Sequence, residues 1–330
     1  MRVGNSTVLR TVAAWLLCFM LAVAAAVVTI VLVNQKVYSP QHQVRAYFDA
    51  LKDGDGSRAL GLLNSTVPDA NAALLDGAPL KQSVAEIEDL EVGDPVVLDA
   101  DRVEVPANYT IEGTPHTTSF ELERSGTSWM FFDQWSFVPT KLPTVEVGVV
   151  NENEASLNGT RVALPEGKNE FAVFYPGSFE AHFTSEFFAA PVVESVLTEP
   201  EQSSGARLSL ETKATEKLID EVDKQVRAFL DGCAEQAVLQ PTGCPFSAAM
   251  DRVRDDSIDW EITEYPKIAI NPSRGSWVME PLVGTAKLNV VEIDLFTGVA
   301  HPRALEEEFN FTGSLAVNDG NVTLTPVVEY

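Results

Sequence analysis

Val44-Arg45-Ala46-Tyr47-Phe48-Asp49-Ala50-Leu51-Lys52-Asp53-Gly54-Asp55 is the stretch from which the fold is read. Val44, Tyr47, Phe48 and Leu51 recur at three- and four-residue spacing, which puts them on one face of a helix. The spacing predicts a helix over 41–51, stopped by Asp53-Gly54-Asp55-Gly56. Ala59, Leu60, Leu62 and Leu63 predict a second short helix, and 69–75 reads as a third helical piece. Beyond Val84 the pattern changes to strands, expected over 87–97, 102–111, 117–124 and 129–138. Gly113 and Ser125-Gly126 supply the turns. Helices followed by a run of antiparallel strands make an α+β unit, placed at residues 40–139.

Upstream, residues 11–33 form an uncharged apolar run between Arg10 and Lys36. A helix rises about 1.5 Å per residue and crosses a bilayer core of about 30 Å in roughly 20 residues. The run therefore predicts one transmembrane helix, with the lipid bilayer as its partner. Arg2 and Arg10 precede it, while the other basic residues and all 48 acidic ones follow it. The positive-inside rule then puts residues 1–10 in the cytoplasm and the acidic bulk outside the cell membrane. The alternative is a signal peptide cleaved at Ala22-Val23-Ala24, which would leave the apolar 25–33 as a new N-terminus. Cys18 sits in the run without the small residues that precede a lipoprotein cysteine. A formal net charge of −25 opposes unspecific attraction to nucleic acid.

Downstream, Pro139 to Pro143 reads as a linker. Residues 143–198 form a Phe-rich β segment with strands expected over 145–150, 171–175, 179–184 and 187–193. Asn158-Gly159 is a hairpin signal, because both central residues of that tight turn need positive φ. The segment reads as a small β-sandwich. A second α+β unit is placed at 205–330. It has a strand over 207–211, a helix over 215–230 with Leu218, Ile219, Val222, Val226, Phe229 and Leu230 on one side, and a helix over 245–254. Strands are expected over 257–264, 267–270, 276–281, 285–294, 304–312 and 322–328. Val226-Arg227-Ala228-Phe229-Leu230-Asp231 matches Val44 to Asp49, and both units run helix first, sheet second, which points to a duplication. Cys233 and Cys244 read as one local disulfide in an oxidising compartment, with two free thiols as the alternative. No His lies near them, so a metal site is not expected.

The opening of the first unit, Val44 to Asp55 followed by Ala59 and Leu62-Leu63, resembles the first helices of the nuclear-transport-factor-two-like (cystatin-like) domains that actinobacteria anchor outside the membrane. Trp129 and Trp135 suit that pattern. The resemblance implies helices laid against a curved sheet as a cone. Leu157-Asn158-Gly159, Leu164-Pro165-Glu166-Gly167 and Tyr175-Pro176-Gly177 resemble a PEGA-type β module. The order of anchor, cone, β module and second cone is similar to membrane proteins associated with teicoplanin resistance, without their cysteine-rich zinc ribbon.

No Gly-x-Ser-x-Gly, P-loop, Gly-x-Gly-x-x-Gly or His-Glu-x-x-His motif occurs. Asp53-Gly54-Asp55-Gly56 starts like a calcium loop and then departs from it, so it reads as a turn. Tyr47, His116 and Asp133 are the acid–base candidates of the first unit, and Tyr47 and Asp133 are the candidate ligand-pocket residues. Six Asn-x-Ser/Thr sequons carry no special meaning in a bacterial chain. The expectation is a non-enzymatic envelope protein, without cofactor, that binds or scaffolds a wall polymer, a small ligand or a protein partner. The alternative is a hydrolase or isomerase using an acid inside a cone-shaped pocket.

Overall fold

The computed structural model describes residues 5–36, 38–128, 132–200, 206–273, 276–318 and 320–328. Helix α1 (Asn5–Lys36) contains an apolar stretch, Arg10–Val33, of 24 residues. No residue of that stretch is buried by the rest of the chain. Trp15, Phe19 and Met20 stand exposed on it, a surface that water penalises and lipid or a signal-recognition groove accepts. By length and composition α1 qualifies as a membrane span or as the core of a signal sequence.

Helix α2 (Pro40–Asp53) starts with Pro at its first turn, where the missing N–H costs nothing. Its buried face is Val44, Tyr47, Phe48, Ala50 and Leu51. It ends at Gly54, whose φ of 68° is the left-handed cap that glycine adopts without penalty. Helix α3 (Gly56–Leu63) begins where the Asp55 carboxylate accepts from the Arg58 N–H at 2.9 Å. Asp53-Gly54-Asp55-Gly56 is thus a helix–helix turn. Gly56 is also pressed against the 75–76 segment: a Cβ there would lie 1.7 Å from the Leu75 carbonyl oxygen.

The helix expected over 69–75 does not form. Asn71 N–H donates to the Glu170 carbonyl and the Asn71 carbonyl accepts from Ala172 N–H, each at 2.9 Å. The main chain there is committed to a strand of the middle unit, so local helix preference loses to tertiary pairing. The third helix is instead α4 (Gly77–Ser83).

Strands β1 (Ile87–Val92), β2 (Val96–Val97), β3 (Arg102–Ile111), β4 (Thr114–Ser128) and β5 (Phe132–Phe137) form an antiparallel sheet. Its order is β1-β3-β4-β5, with β2 beside β3. Val105, Ala107, Tyr109, Phe120, Leu122 and Phe137 are buried with the α2 face in one cluster. Trp129 lies outside the described residues, and Trp135 is on β5.

The middle unit holds β6 (Thr144–Val149), β7 (Glu154–Leu157), β8 (Thr160–Ala163), β9 (Lys168–Ala172), β10 (Gly177–Thr184), β11 (Phe188–Leu197), β12 (Arg207–Leu210) and β13 (Lys213–Ala214). They make two sheets, β13-β11-β10-β7-β8 and β12-β6-β9. Asn158 and Gly159 turn between β7 and β8 with φ of 45° and 70°. The strand expected at 207–211 is β12, and it pairs in parallel with β6, so residues 207–214 join the middle sheets before the next helix starts.

Helix α5 (Glu216–Ala234) is capped by Thr215 and buries Leu218, Val222, Val226, Leu230 and Cys233. Cys233 and Cys244 are bonded to each other. The helix expected over 245–254 is irregular chain. Ala248 N–H returns to the Leu239 carbonyl at 2.8 Å, and Phe246 is packed against Trp260 and Phe309 at 4.8 and 5.5 Å. The disulfide loop thus takes a main-chain hydrogen bond that a helix would have used, and Trp260 and Phe309 hold the aromatic. Strands β14 (Asp259–Glu264), β15 (Ile270–Ser273), β16 (Ser276–Met279), β17 (Leu282–Ile293), β18 (Ala300–Asn318) and β19 (Asn321–Val327) complete the chain. The strand expected at 267–270 starts only at Ile270. The sheet order is β14-β17-β18-β19, with β15-β16 as a separate hairpin. The edge of β19 is closed by a side chain: Gln225 of α5 donates to the Val322 carbonyl at 2.9 Å and accepts from Leu324 N–H at 3.0 Å.

The architecture is α+β, as expected. In the segment matched between α2 and α5, Val44 and Phe48 are buried, as are Val226 and Leu230, but Tyr47 is fully buried where its counterpart Phe229 is only half-buried. Tyr38 stacks on Phe132 at 4.7 Å, fixing the chain between α1 and α2 to the start of β5.

Candidate functional site

Tyr47 lies at the centre of the first unit and is fully buried. The rings of Phe48, Phe120, Phe137 and Phe174 surround it at 5.7–6.3 Å, mostly edge to face. Its hydroxyl donates to the Tyr175 carbonyl at 2.6 Å. Burial pushes the phenol well above its ordinary pKa, with a smaller contribution from Tyr175. The group is a locked hydrogen-bond donor in a filled interior.

Asp133 is on β5, opposite Thr127, and pairs with Arg124 at 3.7 Å. It is four residues from Phe137, about 13 Å along the strand at about 3.3 Å per residue. His116 stacks on Tyr109 at 6.0 Å, and the Tyr109 hydroxyl shares a hydrogen bond with Thr118 at 2.7 Å. Burial pushes Tyr109 up to about 12. None of Tyr47, His116 and Asp133 lines the cleft that the fold opens beside them.

That cleft, about 430 Å³, forms where β5 leaves β4. Val138 N–H donates to the Glu121 carbonyl at 3.0 Å, extending the ladder past Phe137. Pro139 then has no N–H to offer. The Thr140 carbonyl is taken by Thr66 N–H, and the Thr66 carbonyl accepts from Leu142 N–H, each at 3.0 Å. The chain is pulled aside and a fork opens. Phe120, Phe137, Tyr175 and Leu63 make the floor, Ser119, Val138 and Thr140 the sides, and Glu121, Glu199 and Pro200 the rim. The Phe120 and Tyr175 rings stack at 5.9 Å beneath it. The Thr140 hydroxyl shares a hydrogen bond with Ser65 at 2.8 Å. Burial raises the Tyr175 phenol, partly offset by its hydrogen bond with Thr140. Two carboxylates, several hydroxyls and an apolar floor suit recognition of a ligand rich in hydrogen-bond donors.

Two further features were not legible beforehand. Glu86, Glu112 and Glu194, from the turn before β1, the β3–β4 turn and β11, bring carboxylate oxygens within 4.8 Å of one another. Burial, and then the Glu112 and Glu86 carboxylates, hold Glu194 above the usual carboxylate range. The cleft was missed because its lining comes from five separated parts of the chain. The one signal in sequence was Tyr175-Pro176-Gly177, part of the resemblance to a PEGA-type module, and Tyr175 lies in the floor. No protein-family model, curated protein or solved structure matches this chain.

Proposed function

We propose that the protein is a single-pass, membrane-anchored binding module of the cell envelope, with residues 1–10 cytoplasmic and the acidic body outside. The observation that carries the reading is the unburied 24-residue apolar helix joined to a folded body that holds a closed disulfide. Helices α2–α4 followed by the β1-β3-β4-β5 meander support a cone of the nuclear-transport-factor-two-like kind, and α5 with β14-β17-β18-β19 supports a second. The two sheets between them support the PEGA-like module. The filled interior around Tyr47 favours binding over catalysis, because an enzyme would need an open pocket around its acid or base.

The test is protease access on intact cells with the outer membrane face exposed. The reading expects digestion of the body without lysis, co-fractionation of the chain with membranes, and co-sedimentation of purified protein with cell-wall sacculi or a crosslinked envelope protein. Protection of the body, or a soluble full-length chain, overturns it.

A further inference from the structure

We infer that the fork beside β4 docks an extended, basic polypeptide segment, which adds to the free edge of β4 and sets a Lys or Arg against Glu121 and Glu199. The inference rests on the binding reading above and gives that site its partner class.

The edge is the first observation. Strand β4 is paired with β3 over Thr114 to Glu123, but β5 covers its other side only from Leu122 to Ser128. The Glu121 carbonyl points to the β5 side, since Val138 N–H reaches it there. Main-chain groups two residues apart on a strand face the same edge. Ser119 and Thr117 therefore present N–H and C=O to the fork side, where they have no main-chain partner among the described residues. Both are exposed. Pro115, with no N–H, limits the open edge at its far end. Unpaired strand edges are templates for another strand.

Charge is the second observation. Glu121 and Glu199 line the cleft, and no Lys or Arg does among the described residues. Glu104 stands opposite Glu121 on β3, and Arg102, the cation on that face whose charge reaches Glu121, is already paired with Asp99 at 2.8 Å. An acidic or neutral strand would bring like charge or an unpaired carboxylate to that place, which disfavours it. The same acidity disfavours a second copy of this chain docking edge to edge. Volume is the third observation. About 430 Å³ is far less than a folded partner occupies and enough for one long side chain over the Phe120–Tyr175 stack.

The experiment uses the full chain in detergent micelles. A fluorescent peptide Lys-Val-Lys-Val-Lys-Val is titrated by anisotropy beside its Glu-Val counterpart and a backbone N-methylated Lys-Val peptide. The basic peptide is expected to bind. The double change Glu121→Gln and Glu199→Gln is expected to weaken it by about tenfold, the loss of one charge-assisted contact. The control Glu306→Gln and Glu308→Gln, at exposed positions on β18, is expected to leave it unchanged. N-methylation is expected to abolish binding. Equal binding of the N-methylated or Glu-Val peptide, no effect of the cleft variant, or no binding at all overturns the inference. A chain that still co-fractionates with membranes and binds sacculi while ignoring the peptides keeps the envelope reading and loses this one.

Discussion

At the scale of single residues, the interior of the first unit turns on Tyr47. Its hydroxyl satisfies the Tyr175 carbonyl, so Tyr47→Phe leaves a buried acceptor unpaired while keeping the ring. The expected cost is about 1–2 kcal/mol, read by chemical denaturation. Tyr47→Ala removes the ring as well and is expected to cost about 3–5 kcal/mol. Gly56→Ala forces a Cβ against a main-chain oxygen that no rotamer change can move. A loss of about 1–3 kcal/mol is expected, with the 54–57 turn amides exchanging faster. Tyr47 was singled out from the sequence as a pocket residue because a polar atom on an apolar helix face attracts that reading. Its partner is a carbonyl 128 positions away, which no local pattern discloses.

At the scale of elements, periodicity located what local packing decides. Helix α2 follows the spacing of Val44, Tyr47, Phe48 and Leu51, and β3 runs over Arg102–Ile111 as expected. The misread pieces, 69–75 and 245–254, have main chain held from outside themselves, by Glu170 far along the chain and by Leu239 in the adjoining disulfide loop. The disulfide is the clearest element-scale device. The Trp260 indole N–H donates to the Val238 carbonyl inside its loop at 3.0 Å. Replacing Cys233 and Cys244 by Ala is expected to cost roughly 2–3 kcal/mol and to change the near-ultraviolet dichroism of Trp260. Gln225 offers a second test. Its amide imitates a neighbouring strand for β19, so Gln225→Ala is expected to raise hydrogen exchange at Leu324 and to expose an edge prone to association.

At the scale of the whole molecule, the joint between the first unit and β11 carries like charges. Glu194 has a pKa raised above its unfolded value, so the folded state holds its proton more tightly than the unfolded chain does. Stability from this group is therefore present below the ordinary carboxylate range and is lost as pH rises through the raised value. Glu194→Gln is expected to stabilise the protein at pH near 7 and to do little in mild acid, as read by denaturation at the two pH values. This joint, like the cleft, unites segments far apart in sequence, and composition alone shows only that acids are plentiful.

Three residues separate α1 from α2, and one of them, Tyr38, is already stacked on the body. That leash is about 10 Å when fully drawn out, close to the Debye length of about 10 Å at 0.1 M salt. With α1 in a bilayer, the body cannot swing out to sample the surrounding volume. A body so tethered would search in two dimensions, its encounter rate set by lateral diffusion, and only the acidic groups nearest Tyr38 would lie inside the ionic atmosphere of the headgroups.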